Sequence, residues 1–552
     1  MLRSTLAKRA GLLFILAAAA FYFYGLGHLP LVGPDEPRYA QVAREMFLRG
    51  DMITPTLGGH TWFEKPPLLY WMMIASYRVF GVSEWAARLG PALSGLLTVF
   101  LIYWMGIRAK SIVEAEKGES DGAGLWSGVA LASGAGLIVF SRAASFDVVV
   151  TMTVTAALAC FFQAEFAPSE KLRRWLTAGF YAAVGASLLA KGLVGIVIPF
   201  GVIALYYLLR RESPRGEVFL NALWGVPVTI AIAATWYAPV IARHGWTFVD
   251  EFFIQHHFAR FMSDKYHHPQ GFYFYVPIIL MLALPWTPQL VTGLIGARRW
   301  NWREHTVVSR TRVFALAWML APVIFFSLSK SKLPGYILPA LPGAMLLVGE
   351  QLSKFVRGKE ANGAMRATGT VMLLLGAAGI VYASRTGDVT IARALLIAAP
   401  LFVAGLAAII WKQKRSLRLE LVASAMFIAV ALVINCAVEP IGRLESVRDL
   451  VRLADERGYS TTPVFYMLTD DRTGEFYAGG RLGYRPDGEP FRFDGADEVA
   501  DAARRSGGTA LVFVPTKWAN QLTDYSTIET EIIGSNGILT LAAVRIVAVA
   551  QP

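Results

Sequence analysis

The chain has 552 residues, of which 55% are hydrophobic and only 17% charged, with a formal net charge of +12. Soluble proteins carry about a quarter of their residues as charges, so this composition excludes an ordinary water-soluble globular protein. The positive excess sits in short loops between apolar runs, which is how membrane helices are oriented, and it does not indicate nucleic-acid binding.

A hydrocarbon core about 30 Å thick requires roughly 20 apolar residues per helical crossing. The first such run, 11–27, follows Lys8 and Arg9 and ends in Tyr22, Phe23 and Tyr24. It lacks a clear small-residue cleavage pattern and reads as an uncleaved helix, not a signal peptide. Further runs predict spans at 85–107, 123–140, 148–166, 175–190, 192–209, 219–241, 273–296, 313–328, 335–352, 367–384, 391–411 and 419–437. The expectation is therefore a mainly α membrane protein with about thirteen transmembrane helices. Every second loop is rich in basic residues, as in Arg108/Lys110/Lys117, Lys171/Arg173/Arg174 and Lys354/Arg357/Lys359/Arg366, while the loops between are nearly bare. That alternation assigns the N-terminus and the basic loops to the cytoplasm and the bare loops to the outside. Cys160 and Cys436 lie in apolar runs and read as buried thiols, with no disulfide framework.

Beyond residue 439 the composition turns polar. Helices are expected at 446–457 and 496–505, strands at 463–468 and 509–514, and further β-prone stretches at 528–533 and 539–549. The predicted organisation is a transmembrane domain at 1–439, with outer loops 28–84 and 242–272, followed by a soluble outer α/β domain at 440–552.

The outer loops hold the unusual charges. The first reads Gly33-Pro34-Asp35-Glu36-Pro37-Arg38-Tyr39, then an amphipathic helical stretch, then Trp62-Phe63-Glu64-Lys65-Pro66-Pro67 and a second amphipathic stretch. The plain reading of Asp35 or Glu36 is a helix cap, and that of outer cations such as Lys65 and Lys330 is an anchor reaching to lipid headgroups. Asp147 opens the fourth span just after Arg142, where a cap facing that arginine is the plain reading and a catalytic acid the sharper one. Lys191 lies between two spans, and His244, His256, His257, His267 and His268 cluster outside. Zinc favours His and carboxylate ligands, so Glu64 and His256 are the first candidates for a divalent metal. No ligand spacing demands one, and no cofactor is required by the sequence; no nucleotide-binding fingerprint is present.

Taken together, the acidic pair after the first span, the interfacial helices and Phe63-Glu64-Lys65-Pro66 resemble the GT-C glycosyltransferases. The pattern is most similar to the 4-amino-4-deoxy-L-arabinose lipid A transferase family, related to protein O-mannosyltransferases. His257-x-x-Arg260-Phe261 and Lys330-x-Lys332-Leu333-Pro334-x-Tyr336 also match, and the resemblance runs over nearly the whole chain. It implies a glycosyltransferase (a pentosyltransferase) that moves a sugar from undecaprenyl phosphate to lipid A at the periplasmic face of the bacterial inner membrane. An alternative keeps the architecture and changes the acceptor to a protein hydroxyl or another glycan. A polyprenyl-lipid flippase would instead place charged or broken helices near the midplane.

In such a reaction the leaving phosphate gathers negative charge, and cations must wait where it develops. Lys65, Arg260, Lys330 and Lys332 are the candidates, with Tyr336 as a phenol donor. Asp35 falls on the acceptor side. It is a general base if the acceptor is a hydroxyl, or an orienting group if the acceptor is an already anionic phosphate. Asp147 is a second acid. Glu36, Arg38, Tyr39, Arg142, Lys191 and His257 are candidate sugar or acceptor contacts, and the resemblance adds Glu475 of the outer domain.

Overall fold

In the computed structural model the described residues are 17–117, 123–214, 216–259, 270–411 and 414–547. They divide into two compact units: residues 1–24, 63–72 and 88–436 form one, and 25–62, 73–87 and 437–552 the other. Residues 436 and 437 fall in different units. Most of the first outer loop, however, belongs to the unit of the tail and not to that of the membrane helices.

The first unit is helical. Among the described residues seven helices are long and apolar enough to cross a membrane: Glu84–Ile107, Phe146–Glu165, Leu220–His256, Val307–Leu328, Gly363–Thr386, Ile391–Ile410 and Arg415–Cys436. Two bent pairs, Ala123–Ser133 with Ala135–Ser141 (56°) and Tyr275–Leu282 with Thr287–Arg299 (120°), raise the number to nine if each is one span. The chain is thus a multi-span helical membrane protein, and helices lie at all of the predicted runs, but among the described residues not all are unbroken, long and apolar enough to cross by themselves. The reasons are local. Pro285 and Pro288 cannot donate the backbone bonds that would continue a helix through 273–296. Pro334 and Pro339 hold the start of the 335–352 run in a tight 3-10 segment, Pro334–Ala340, so that the α-helix begins only at Leu341. The helix Glu170–Lys191 opens with four charged residues in its first five.

Polar groups in this unit are paired at helix ends. Glu165, at the C-terminus of Phe146–Glu165, accepts from the hydroxyls of Tyr206 (3.1 Å) and Tyr207 (2.6 Å) and faces Arg310 at 3.5 Å. Buried Arg210 binds Glu212 (2.7 Å) and the carbonyls of Trp302 and Glu304. Burial of such charges is tolerated only with this degree of pairing. Close helix approach is made by glycine. A Cβ on Gly106 would lie 2.1 Å from Cα of Gly124 in the facing helix.

The second unit is α/β. β1 (Thr56–Leu57) and β2 (His60–Thr61) form a small hairpin. β3 (Val464–Met467), β4 (Arg492–Phe493), β5 (Thr509–Pro515), β6 (Ile528–Ser535) and β7 (Leu539–Ile546) form a five-stranded sheet in the order β4-β3-β5-β7-β6. β4, β3 and β5 are parallel, and β7 and β6 complete an antiparallel edge. The helix Arg448–Glu456 covers one face through Leu450, Val451 and Ala454, and Ala496–Arg505 covers the other through Val499, Ala500 and Ala503. Tail elements predicted at 446–457, 463–468, 496–505 and 509–514 are found within two residues of those bounds. β4 and the short helix Thr473–Tyr477 were not expected.

The loop segment of this unit is tied down by one side chain. The Glu45 carboxylate accepts from the backbone N–H of Gly58 (2.7 Å) and Gly59 (3.2 Å), the hydroxyl of Thr56 (2.6 Å) and the amide of Gln41 (3.1 Å). Gly58, at φ 60°, lies against the ring of Tyr484, where a Cβ would come within 2.4 Å.

Overpacking at a backbone–backbone contact costs about 1–3 kcal/mol, and neither glycine at the 106/124 crossing has a flexible side chain that can yield. Gly106→Ala is expected to lower the thermal midpoint of the detergent-solubilised protein, whereas Gly201→Ala, with open space around its Cβ position, leaves it nearly unchanged. Equal midpoints for the two variants would refute this account of the crossing.

Candidate active site

In the helical unit the candidate site is built from helix ends. Asp147 lies in the first turn of Phe146–Glu165, behind an N-cap in which Ser145 Oγ accepts from its backbone N–H at 3.1 Å. Lys191 is the last residue of Glu170–Lys191. An anion at a helix N-terminus and a cation at a helix C-terminus are each favoured by the helix dipole, and here the two are brought together: the Lys191 ammonium donates directly to Asp147 Oδ1. The ammonium also lies 4.5 Å from the centre of the Tyr336 ring, in a cation–π contact. Gly335 makes room for this arrangement, since a Cβ there would sit 2.0 Å from Asp147 Oδ2. Both charged side chains are largely but not fully covered, at 14% and 18% exposure. The cap expected between Asp147 and Arg142 is therefore corrected. Arg142 instead donates to the carbonyls of Phe21 and Tyr24, closing the end of the first helix. Tyr336 presents its ring to Lys191.

The strap that carries Lys65 is fastened next to this cluster. Phe63 is buried and packs edge-on against His244 (5.0 Å) and Phe248 (5.2 Å), and Tyr70 packs edge-on against Phe146 (5.3 Å), the neighbour of Asp147. Lys65 donates to Glu64 Oε1 at 2.7 Å. Among the described residues no three of His, Cys, Asp or Glu converge as a metal site, and Glu64 is engaged with a cation instead. Lys332 is buried and donates to the carbonyls of Gln270 (3.0 Å) and Ser329. It holds its loop through these two bonds. Lys330 is exposed. Arg260 and the side chain of His257 lie outside the described residues. His256 is placed by the π-type turns of Asp250–Ala259.

An apolar groove of about 520 Å³ runs between the helices Glu170–Lys191, Val194–Arg210 and Gly216–Val249, lined among others by Tyr181, Leu188, Phe200, Tyr237 and Ile241. Leu188 stands three residues before Lys191, so the groove reaches the same end of that helix as the ion pair.

The α/β unit holds the other acidic candidates. Asp35 occupies the N-cap position of Glu36–Arg49, yet its side chain makes no capping bond and is exposed. The capping reading fails for Asp35, whose charge is nevertheless favoured by the helix N-terminus. Buried Glu36 takes a structural part by accepting from Val32 N–H at 3.2 Å. Tyr39 is buried. Arg38 lies over the Trp62 ring (5.3 Å) with Nε 3.7 Å from Glu475 Oε2, and Arg472 donates to Glu475 Oε1 at 2.8 Å. Glu475 is 1% exposed, and burial pushes its carboxyl above the usual carboxylate value despite the two guanidiniums. Sequence reasoning missed Arg472, Trp62 and Glu45. The four-residue spacing of Gln41 and Glu45 was visible, but nothing local marked the hairpin that Glu45 holds.

Residues 9–249 match the family model described as dolichyl-phosphate-mannose-protein mannosyltransferase. The undecaprenyl phosphate-α-4-amino-4-deoxy-L-arabinose arabinosyl transferase of Aeromonas salmonicida is 32% identical over 355 residues, covering 62% of this chain and 59% of that protein. Its namesake from Pseudomonas aeruginosa is 32% identical over 377 residues, covering 67% and 65%. The matched part of the chain thus spans about three fifths of the length of these relatives. The crystal structure of ArnT from Cupriavidus metallidurans bound to undecaprenyl phosphate is similar over 98% of this chain and 99% of its own, with TM-score 0.77 and 25% identity. The Archaeoglobus fulgidus oligosaccharyltransferase shares the fold at TM-score 0.50 and 12% identity, over 91% of this chain and 68% of its own.

The raised pKa of Glu475 has a testable sign. A folded state that binds the proton more tightly than the unfolded chain gains stability that is complete below the unfolded value of about 4.3 and is lost as pH rises through the folded value. Glu475→Gln, fixed in the neutral form, is expected to flatten the fall of the thermal midpoint across that window. A variant curve parallel to the wild-type curve would contradict the assignment.

Proposed function

We propose that this chain, a homologue of the undecaprenyl-phosphate aminoarabinose transferases with the GT-C fold, moves 4-amino-4-deoxy-L-arabinose from undecaprenyl phosphate to a phosphate of lipid A. The reaction takes place at the periplasmic face of the inner membrane, with the N-terminus cytoplasmic and the α/β unit periplasmic. About thirteen crossings, some short or broken, are consistent with the alternation of basic loops.

The observation that carries the reading is the charged helix-end cluster of Asp147, Lys191 and Tyr336, about one helical turn beyond Leu188 of the apolar groove. A polyprenyl phosphate is amphipathic in the same sense: its tail suits the groove and its phosphate suits cations at the groove's end. Lys65, and Arg260 beyond the described residues, supply positive charge as the bond from the anomeric carbon to the donor phosphate oxygen breaks and that oxygen leaves with the electron pair. Lys191 pairs with Asp147 and offsets its charge in a poorly solvated place, where the carboxylate can stabilise positive charge on the sugar ring. An anionic lipid A oxygen needs no proton removed before it forms the new bond, so Asp35 orients the acceptor or the sugar amine. Arg38 and Glu475 order the loop from which Asp35 projects.

A second reading replaces lipid A by a protein hydroxyl, and the match of residues 9–249 to the mannosyltransferase family favours it. There Asp35 takes the hydroxyl proton as general base.

Purified protein with the lipid-linked aminoarabinose and lipid A in detergent separates these readings. Mass spectrometry should show a lipid A product, and Asp35→Asn, which loses the orienting charge, should slow its formation by about 10²-fold. Lys65→Ala should chiefly weaken the use of donor. Wild-type turnover by Asp35→Asn would remove Asp35 from the chemistry, and glycosylated protein with unmodified lipid A would replace the acceptor.

A further inference from the structure

The α/β unit carries a cleft of about 430 Å³ apart from the residues assigned above to the reaction. Topology explains its position. β3 and β4 are parallel neighbours, but the chain leaves them toward opposite faces of the sheet. The link from β3 to β4 packs through Ala478 and Leu482 onto the face of Tyr466 and Phe513. The link from β4 to β5 packs through Val499 and Ala503 onto the face of Met467 and Val512. Adjacent parallel strands whose connections part in this way leave a crevice at their carboxyl ends, the common ligand seat of open α/β sheets.

The lining comes from those ends. Asp470 and Arg472 follow β3, Arg492 and Asp494 belong to the end of β4, and Arg485 and Glu489 come from the turn before it. Three guanidiniums and three carboxylates thus face one crevice, and they are not equally engaged. Arg472 is fixed between Glu475 (2.8 Å) and Glu489 (3.1 Å). Arg492 pairs with Asp470 at 2.8 Å and Arg485 with Asp487 at 3.6 Å, and both arginines are 47% exposed. Exposed pairs of this kind contribute little, so these two forks are able to turn to a better anion. Guanidinium matches phosphate bidentately, while carboxylates accept from hydroxyl and amino groups. Only Tyr466 and Pro490 add apolar surface to the lining, too little for an apolar ligand, and a bare anion leaves the carboxylates unused.

We propose that this crevice binds a phosphorylated sugar, its phosphate on Arg485 and Arg492 and its hydroxyl or amino groups on Glu489 and Asp494. The proposal does not depend on the transferase reading, because it concerns binding within the α/β unit alone.

The test is a titration of the full-length protein in detergent micelles with glucosamine 1-phosphate, read by calorimetry. Saturable binding is expected, weakened about tenfold or more in the double variant Arg485→Ala/Arg492→Ala, with the thermal midpoint of that variant unchanged. Glucosamine and inorganic phosphate should each bind about tenfold more weakly than the ester. Absence of saturation, wild-type affinity in the folded double variant, or inorganic phosphate binding as tightly as the ester would each overturn the proposal. Lipid A in mixed micelles distinguishes the source: displacement of the bound ester identifies a lipid headgroup as ligand, and persistence of the ester identifies a free sugar phosphate, both within the proposed class. Transfer is measured separately with Asp35→Asn, which should retain ester binding, so failure of one reading leaves the other standing.

Discussion

A carboxylate and an ammonium held together at the ends of two apolar helices set the terms for the rest of the helical unit. Neither Asp147 nor Lys191 is tolerable alone where solvent is scarce, since an uncompensated charge there costs several kcal/mol, on the order of 3–5 when a buried partner is removed. Their pairing needs the two helix termini side by side, a glycine at 335 to leave space and an aromatic face at 336 beneath the ammonium. The prolines that hold Pro334–Ala340 in a tight turn are thus part of the same constraint. They stop a helix short of the place where it would cover the pair. Charge at the other end of the same helix obeys the same rule with a different outcome. Glu165, about 27 Å away along the axis at 1.5 Å per residue, is held by two tyrosine hydroxyls and an arginine in a latch between helices.

The contrast between the two acids of the first subsection has a physical basis. Asp35 occupies a capping position and does not cap, while Glu36 beside it bonds back to the preceding turn. A side chain left out of the hydrogen bonding that its position offers, on a helix start whose dipole favours its charge, is available for something else. Arg142 shows the converse. Its position beside Asp147 suggested partnership, but its guanidinium is spent on backbone carbonyls that would otherwise lack donors at the end of the first helix.

What was legible in the sequence is what depends on near neighbours. Apolar runs reveal helices because hydropathy is a local sum, and the helix Ala496–Arg505 and strand Thr509–Pro515 carry their own period and turn signals. The motifs around Asp35, Lys65 and Tyr336 were legible by resemblance. The pairing of Asp147 with Lys191 was not, because it joins residues 44 apart, and the nearer Arg142 offered a simpler partner. Arg472 stayed hidden because its meaning depends on Glu475 being buried. A two-residue strand such as β4 is too short for alternation to be seen at all. Hydropathy alone did not show which runs are short or bent, because it does not register where proline ends a helix.

The division of the chain also bears on how the molecule is made. The α/β unit is not a tail added to a finished membrane protein, since residues 25–62 and 73–87 belong to it together with 437–552. During synthesis the helix Glu36–Arg49 emerges more than 350 residues before the strands of the sheet with which it shares a compact unit. Long-range closure of this kind is slow compared with local folding. The early segment must therefore wait, with its buried face uncovered, while the intervening helices enter the bilayer. Its amphipathic character suits it to wait along the membrane surface until the strands from β3 to β7 are made.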